Sequence, residues 1–206
     1  VTEGRNVQRV AKGEKRTTTR KRRTKGANEI KCSLDGFIAE AKLRHTKVRT
    51  LFLVDLNNLF SCMKQKFWKK GRARVSPFPN LKRAFHKHAP CDALIFATKN
   101  LEKFKPKLPP QDTPELFVRW FIECKRKGNK YADVDPLMIG IGTDYVSEHL
   151  KSTKKVVVCS GDKDFLVLQQ LAKSKGLKTE VMGLAKEFVA EDWHREKVPV
   201  SYLYRG

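Results

Sequence analysis

The sequence predicts an α/β domain, a parallel sheet flanked by helices, behind an extended basic N-terminal arm. Three observations carry this. Short apolar runs recur between residues 48 and 182, and they are continuous, as in strands buried on both faces. Segments with helical start signals stand between them. The first 31 residues hold eleven basic and three acidic side chains and almost no large apolar ones, too little to offset the entropy of ordering alone. The chain thus divides into an extension at 1–47, an α/β domain at 48–185 and a C-terminal segment at 186–206. Trp193, Tyr202 and Tyr204 are expected to pack that last segment back on the domain.

The elements follow in order. The run 48–54 reads as a buried strand, and 59–69 and 80–88 as helices. A second strand is expected at 93–97. Thr113 is placed to cap a helix with Pro114 at its first position. Leu116, Phe117, Trp120, Phe121 and Cys124 fall on one face of that helix. Asp135-Pro136 opens another in the same way, running towards residue 150. A third strand is expected at 156–159, a helix at 165–173 ended by Gly176, and a fourth strand at 179–182. Strands alternating with helices imply right-handed crossovers.

Composition narrows the function. The 206 residues include 44 Lys+Arg against 22 Asp+Glu, a formal charge of +22. Such self-repulsion is tolerated where a polyanion neutralises it. Nucleic acid is the first candidate and an anionic membrane surface the second. A hydrophobic share of 40% excludes global disorder. No run of about 18 apolar residues occurs, so no membrane span is expected. The five cysteines include no C-x-x-C pair and read as reduced thiols. His86, His88 and Cys91 are too sparse a set for zinc, which is not expected. No apolar signal-peptide core follows Val1, which argues against secretion.

The acids stand where a site would be. Ligands of parallel α/β sheets bind beyond the carboxyl ends of strands. Asp55 ends the first strand, Asp162 and Asp164 follow the third, and Asp133 and Asp135 precede a helix. Clustered carboxylates repel unless protonated or given a cation, and Mg2+ or Mn2+ suits oxygen ligands. Each residue has a local alternative. Asp135 before Pro136 is a good N-cap, Asp164 is placed to cap the next helix, and Asp162 to end a turn. Lys163 is placed to neutralise its two acidic neighbours. Asn58 is placed either to orient a carboxylate or phosphate or to cap the next helix.

Three segments carry a resemblance. Val54-Asp55-Leu56-Asn57-Asn58-Leu59, Lys130-Tyr131-Ala132-Asp133-Val134-Asp135 and Ser160-Gly161-Asp162-Lys163-Asp164-Phe165 resemble, in order and spacing, the NYN family of PIN-like domains. The likeness covers roughly residues 48 to 185. It implies a Rossmann-like parallel sheet between helices and a Mg2+- or Mn2+-dependent ribonuclease acting on single-stranded RNA. By the same resemblance Asp55, Asp162 and Asp164 are the metal ligands, Asn58 and Ser160 support them, and Asp133 or Asp135 completes the catalytic set. The family pattern departs at two places. Tyr131 stands where a glycine is usual, and Ile139 or Ile141 stands where a further acid is usual; Asp144 comes later.

Three functions compete. The first is an RNA-binding protein, an rRNA-bound component or assembly factor of a large ribonucleoprotein such as a mitochondrial ribosome. In that reading Arg16, Arg20, Lys21, Arg22, Arg23 and Lys25 of the arm, with Lys69, Lys70, Arg72 and Arg74, lie along phosphates. Phe67, Trp68 and Phe104, between basic stretches, stack a base or else belong to the core. An Arg-rich, acid-poor start at Val1 suits the mitochondrial matrix, with a nuclear or cytoplasmic address as the alternative. The second is an active Mg2+-dependent single-strand endoribonuclease. The third is a protein-interaction module anchored through Trp193, Tyr202 and Tyr204, which leaves the charge unexplained.

Overall fold

The computed structural model describes residues 49–68, 75–123 and 133–204. The first strand, β1 (Arg49–Asp55), is buried at all seven positions. It leads directly into α1 (Leu56–Lys66), because Asp55 itself caps the helix by accepting from Asn58 N at 3.0 Å. After α2 (Phe78–Lys87) the chain enters β2 (Cys91–Thr98), again buried throughout. A 3-10 stretch (Lys99–Lys107) and the short β3 (Gln111–Asp112) precede β4 (Leu116–Glu123). Then come α3 (Asp135–Glu148), β5 (Thr153–Cys159), α4 (Leu166–Ser174), β6 (Lys178–Gly183), α5 (Glu191–Arg195) and β7 (Val200–Tyr202).

The strands form one seven-stranded sheet in the order β3-β4-β2-β1-β5-β6-β7. Every pairing is parallel except the β3–β4 edge hairpin. The α/β class with a largely parallel, helix-flanked sheet is therefore the observed one. Buried pairing on both sides of β1 explains its continuous apolar sequence. On one face Phe52 meets Phe85 of α2 edge-on at 4.9 Å. On the other, Gly142 lets α3 close on β1: a Cβ there would lie 2.9 Å from Leu53 Cδ1 and 3.1 Å from Leu168 Cδ2. At the end of α4, Gly176 takes φ +75° and Leu177 N donates to Ala172 O, a left-handed cap of the expected kind.

The segment expected as a helix from Thr113 is instead strand β4. It pairs with β2 from Cys91↔Leu116 to Thr98↔Glu123. Thr-Pro supplies the turn of the β3–β4 hairpin, where Thr113 Oγ1 accepts from Leu116 N at 3.0 Å and Thr113 N donates to Leu116 O. A capping residue followed by proline suits either a helix start or a β-turn. Five of the seven residues 116–122 are aromatic or β-branched, and a neighbouring strand offers them a ladder. Phe121 stacks on Phe96 at 5.1 Å, and Trp120 Nε1 donates to Leu108 O at 2.8 Å.

The C-terminal segment does more than pack back. It extends the sheet by β7, and Trp193 of α5 is fully buried with Nε1 donating to Gly161 O at 3.3 Å. No described helix is long and apolar enough to cross a membrane. Cys62, Cys91 and Cys159 are free and buried.

Candidate functional site

The chain leaves β1 for one half of the sheet (β2, β4) and later returns beside it as β5 to build the other half (β6, β7). The two halves diverge at the carboxyl ends of β1 and β5, which is where an α/β sheet opens a crevice for ligands. Asp55 ends β1, and the loop Ser160-Gly161-Asp162 leaves β5.

Hydrogen bonds tie these two ends together. Asp55 Oδ2 accepts from Ser160 Oγ at 3.2 Å, while its Oδ1 caps α1. Ser160 Oγ accepts in turn from Asp162 N at 3.2 Å. Asn58 Oδ1 accepts from Gly161 N at 3.2 Å and from Cys62 Sγ at 3.6 Å. Asn58 therefore joins α1 to the loop after β5 across 103 residues of sequence, a contact outside both of its expected roles. No local pattern signals such a contact.

Asp135, Asp162 and Asp164 each bring a carboxylate oxygen within 4.8 Å of the other two. This is the three-carboxylate group among the described residues. Asp55, which the family resemblance put among the ligands, stands behind it, engaged with Asn58 N and Ser160 Oγ. Asp133 is exposed and accepts from Asp135 N at 3.1 Å, so it shapes the start of α3, while Asp135 reaches the group. Asp162 makes the matching bond to Asp164 N at 3.1 Å. Asp135 is the first helical residue, after Val134 at the cap position. Asp144, nine residues further, lies about half a turn round the helix and ~13 Å along it, away from the group. Lys163 is exposed and makes no ion pair among the described residues, and none of the three clustered acids makes one either.

Electrostatics follow from this crowding. Burial pushes Asp135 up to about 7, with Asp55, Asp133, Asp162 and Asp164 adding repulsion. Burial also pushes Asp55 up to about 6, against the pull of its bonds from Asn58 and Ser160. Four carboxylates thus share a crevice with no described cation. Three of their oxygens, at most 4.8 Å apart, suit one hard divalent ion, whose opposite ligands at ~2.0–2.4 Å stand roughly 4–5 Å apart.

The loop is fixed from behind by the C-terminal segment. A Cβ on Gly161 would meet Phe188 O at 1.6 Å and Phe188 C at 2.8 Å, both backbone atoms. Gly161 O also accepts from Ala190 N at 2.9 Å. Gly161→Ala is therefore expected to push the Asp162 loop off this segment and destabilise the fold by about 1–3 kcal/mol. Chemical denaturation measures it, and an unchanged midpoint would refute the tight approach.

Among the expected RNA contacts, Arg16, Arg20, Lys21, Arg22, Arg23, Lys25, Lys69, Lys70, Arg72 and Arg74 lie outside the described residues. Phe67 belongs to the core, buried and 5.3 Å from the Tyr204 ring. Trp68 and Phe104 are half-buried beside Phe60, at 6.1 and 4.7 Å.

No protein-family model matches the chain, and neither does any curated protein. A crystal structure of a protein of unknown function from Vibrio parahaemolyticus is similar over 76% of this chain and 93% of that one, with a TM-score of 0.52 and 14% identity. That likeness is one of fold.

Proposed function

We propose that this chain is an RNA-binding protein with an NYN-type, PIN-like domain, and that its carboxylate group serves divalent-cation-dependent cleavage of single-stranded RNA. The observation that carries the reading is the uncompensated group Asp135, Asp162 and Asp164 at the point where the sheet's halves diverge. Mg2+ or Mn2+ would be held by these three residues. When bound, such a cation supplies water activation and stabilisation of the leaving oxygen of a phosphodiester. The chain's own part is positioning. Ser160 links buried Asp55 to the Asp162 backbone, and Asn58 holds Gly161, so the loop carrying two of the acids is fixed to β1. The net charge of +22 draws a polyanion towards a crevice that is itself acidic.

Asp162→Asn tests this. It keeps the side-chain oxygen that accepts from Asp164 N and removes the charge. Cleavage of a fluorescent single-stranded RNA is expected to fall by ~100-fold or more, with the fold intact by circular dichroism. Unchanged cleavage would overturn the assignment.

A second reading is favoured by the charge distribution, with eleven basic and three acidic residues in the first 31. In it the protein resides on rRNA in a large ribonucleoprotein, such as a mitochondrial ribosome or its assembly intermediate. Crosslinking in cells separates the two. Discrete rRNA footprints support residence, and scattered footprints ending at cut sites support a working nuclease.

A further inference from the structure

A cavity of about 360 Å3 opens one strand away from Asp55, at the carboxyl end of β2. Its lining combines three kinds of chemistry. Phe60, Trp68 and Phe104 give aromatic surface, with the Phe60 and Phe104 rings stacked at 4.7 Å. Lys64 and Lys103 are exposed at it, and the Lys103 ammonium sits 5.4 Å from the Phe104 ring centre. Asn57, Ser61, Thr98 and Asn100 supply amides and hydroxyls.

The polar groups are held in place. Asn57 Oδ1 accepts from Thr98 N at 3.1 Å and from Thr98 Oγ1 at 3.3 Å, which commits its carbonyl and leaves its amide N–H groups to point elsewhere. Thr98 Oγ1 lies between Asn57 Oδ1 and Asn100 Oδ1, and its one proton serves one of them at a time. Trp68 Nε1 is itself buried, so Trp68 offers the cavity its ring rather than its N–H. A purely apolar ligand would not use the lysines and amides, and a purely anionic ligand would not use the rings.

We propose that this cavity is a nucleotide subsite, which takes one base of a single-stranded RNA against Trp68 and Phe104 and its phosphate against Lys64 and Lys103. Its volume suits one nucleotide, and aromatic surface beside lysines is how sequence-tolerant single-strand sites are built. Asn57 stands two residues after Asp55, so the cavity opens beside the start of the helix that Asp55 caps. RNA as the source of the nucleotide rests on the function proposed above; the nucleotide chemistry does not.

The test uses the full chain in EDTA, so that it reads binding without cleavage. Adenosine and uridine 5′-monophosphates are titrated while the indole N–H signals of the three tryptophans are followed by NMR, with Trp68→Phe assigning the Trp68 signal. That signal is expected to move, and the one from fully buried Trp193 to stay. Ser61→Trp, at an exposed helix position lining the cavity, fills it without touching the core. It is expected to weaken both the mononucleotides and a short single-stranded RNA by about tenfold. A static Trp68 signal overturns the subsite even if the protein cleaves RNA. A moving signal in a protein that never cleaves keeps the subsite and removes the nuclease reading. Mononucleotide binding lost in Ser61→Trp with RNA binding intact overturns the strand assignment and leaves a free nucleotide as the ligand.

Discussion

Asp135→Asn is expected to raise the melting temperature of the cation-free protein at neutral pH and, at once, to abolish both RNA cleavage and stabilisation by Mg2+ or Mn2+. The two signs have one cause. Burial first, then Asp55, Asp133, Asp162 and Asp164, push Asp135 from its ordinary 3.8 to about 7. Burial pushes Asp55 to about 6. The folded protein therefore keeps protons that the unfolded chain has released between about pH 4 and 7. Where the folded state binds more protons, stability falls as pH rises. The contribution of these groups is present in full below the unfolded value and lost by the time pH passes the folded one. A divalent cation reverses this, because it favours the charged carboxylates and must displace their protons. Its stabilisation should be larger at pH 8 than at pH 5. At about 100 times its dissociation constant a cation adds ~2.7 kcal/mol, or about 5–10 °C for a domain of this size. Thermal melts of the parent and the variant at both pH values, with and without Mn2+, read all of this. A variant that keeps the full cation response removes Asp135 from the site. A variant that melts lower in the absence of cation removes the repulsion argument.

The parts of this site that were legible in the sequence are those set by strand ends. Asp55, Asp162 and Asp164 follow apolar runs, so a charge had to emerge at the carboxyl edge of a parallel sheet. Which acid joins Asp162 and Asp164 was not legible, because Asp133 and Asp135 are two residues apart. The choice depends on α3 beginning at Asp135, with Asp133 turned outward to accept from Asp135 N. Two other features have no local signature. Asn58 reaches Gly161 across the sheet, and the 161–162 loop is backed by Phe188. The misread segment at 113–123 has a similar origin. Thr-Pro-Glu opens a turn in either element, and the decision was made by the open edge of β2, to which β4 adds. Local propensity yields to tertiary pairing where a strand needs a neighbour.

Asp92→Ala is expected to destabilise the fold by about 3–5 kcal/mol, the largest stability effect among these changes. Arg49 opens β1 and Asp92 lies next to it on β2, at the end of the sheet remote from the acidic crevice. Both are almost fully buried, at 4% and 2% exposure. Arg49 Nε donates to Asp92 Oδ1 at 2.7 Å, Nη1 to Pro114 O at 2.6 Å and Nη2 to Cys91 O at 2.9 Å. Tyr145 of α3 donates to Asp92 Oδ2 at 2.6 Å. One guanidinium and one carboxylate thus join β1, β2, the β3–β4 turn and α3. Removing the carboxylate leaves a buried cation facing two carbonyls, and leaves the Tyr145 hydroxyl without this acceptor. Replacing both charged residues together, as Arg49→Met with Asp92→Leu, removes the unpaired charge and should recover much of the loss. The parent, Arg49→Met, Asp92→Leu and the double variant form a double-mutant cycle read by urea denaturation, where a coupling of more than about 1 kcal/mol is expected. A single Asp92→Ala cost below about 1 kcal/mol would mean that water reaches the pair. Because this network sits at the opposite end of the strands, Asp92→Ala should keep its cation-dependent cleavage at temperatures where it remains folded, whereas Asp135→Asn should lose cleavage while fully folded. That contrast separates residues that make the sheet from residues that use it.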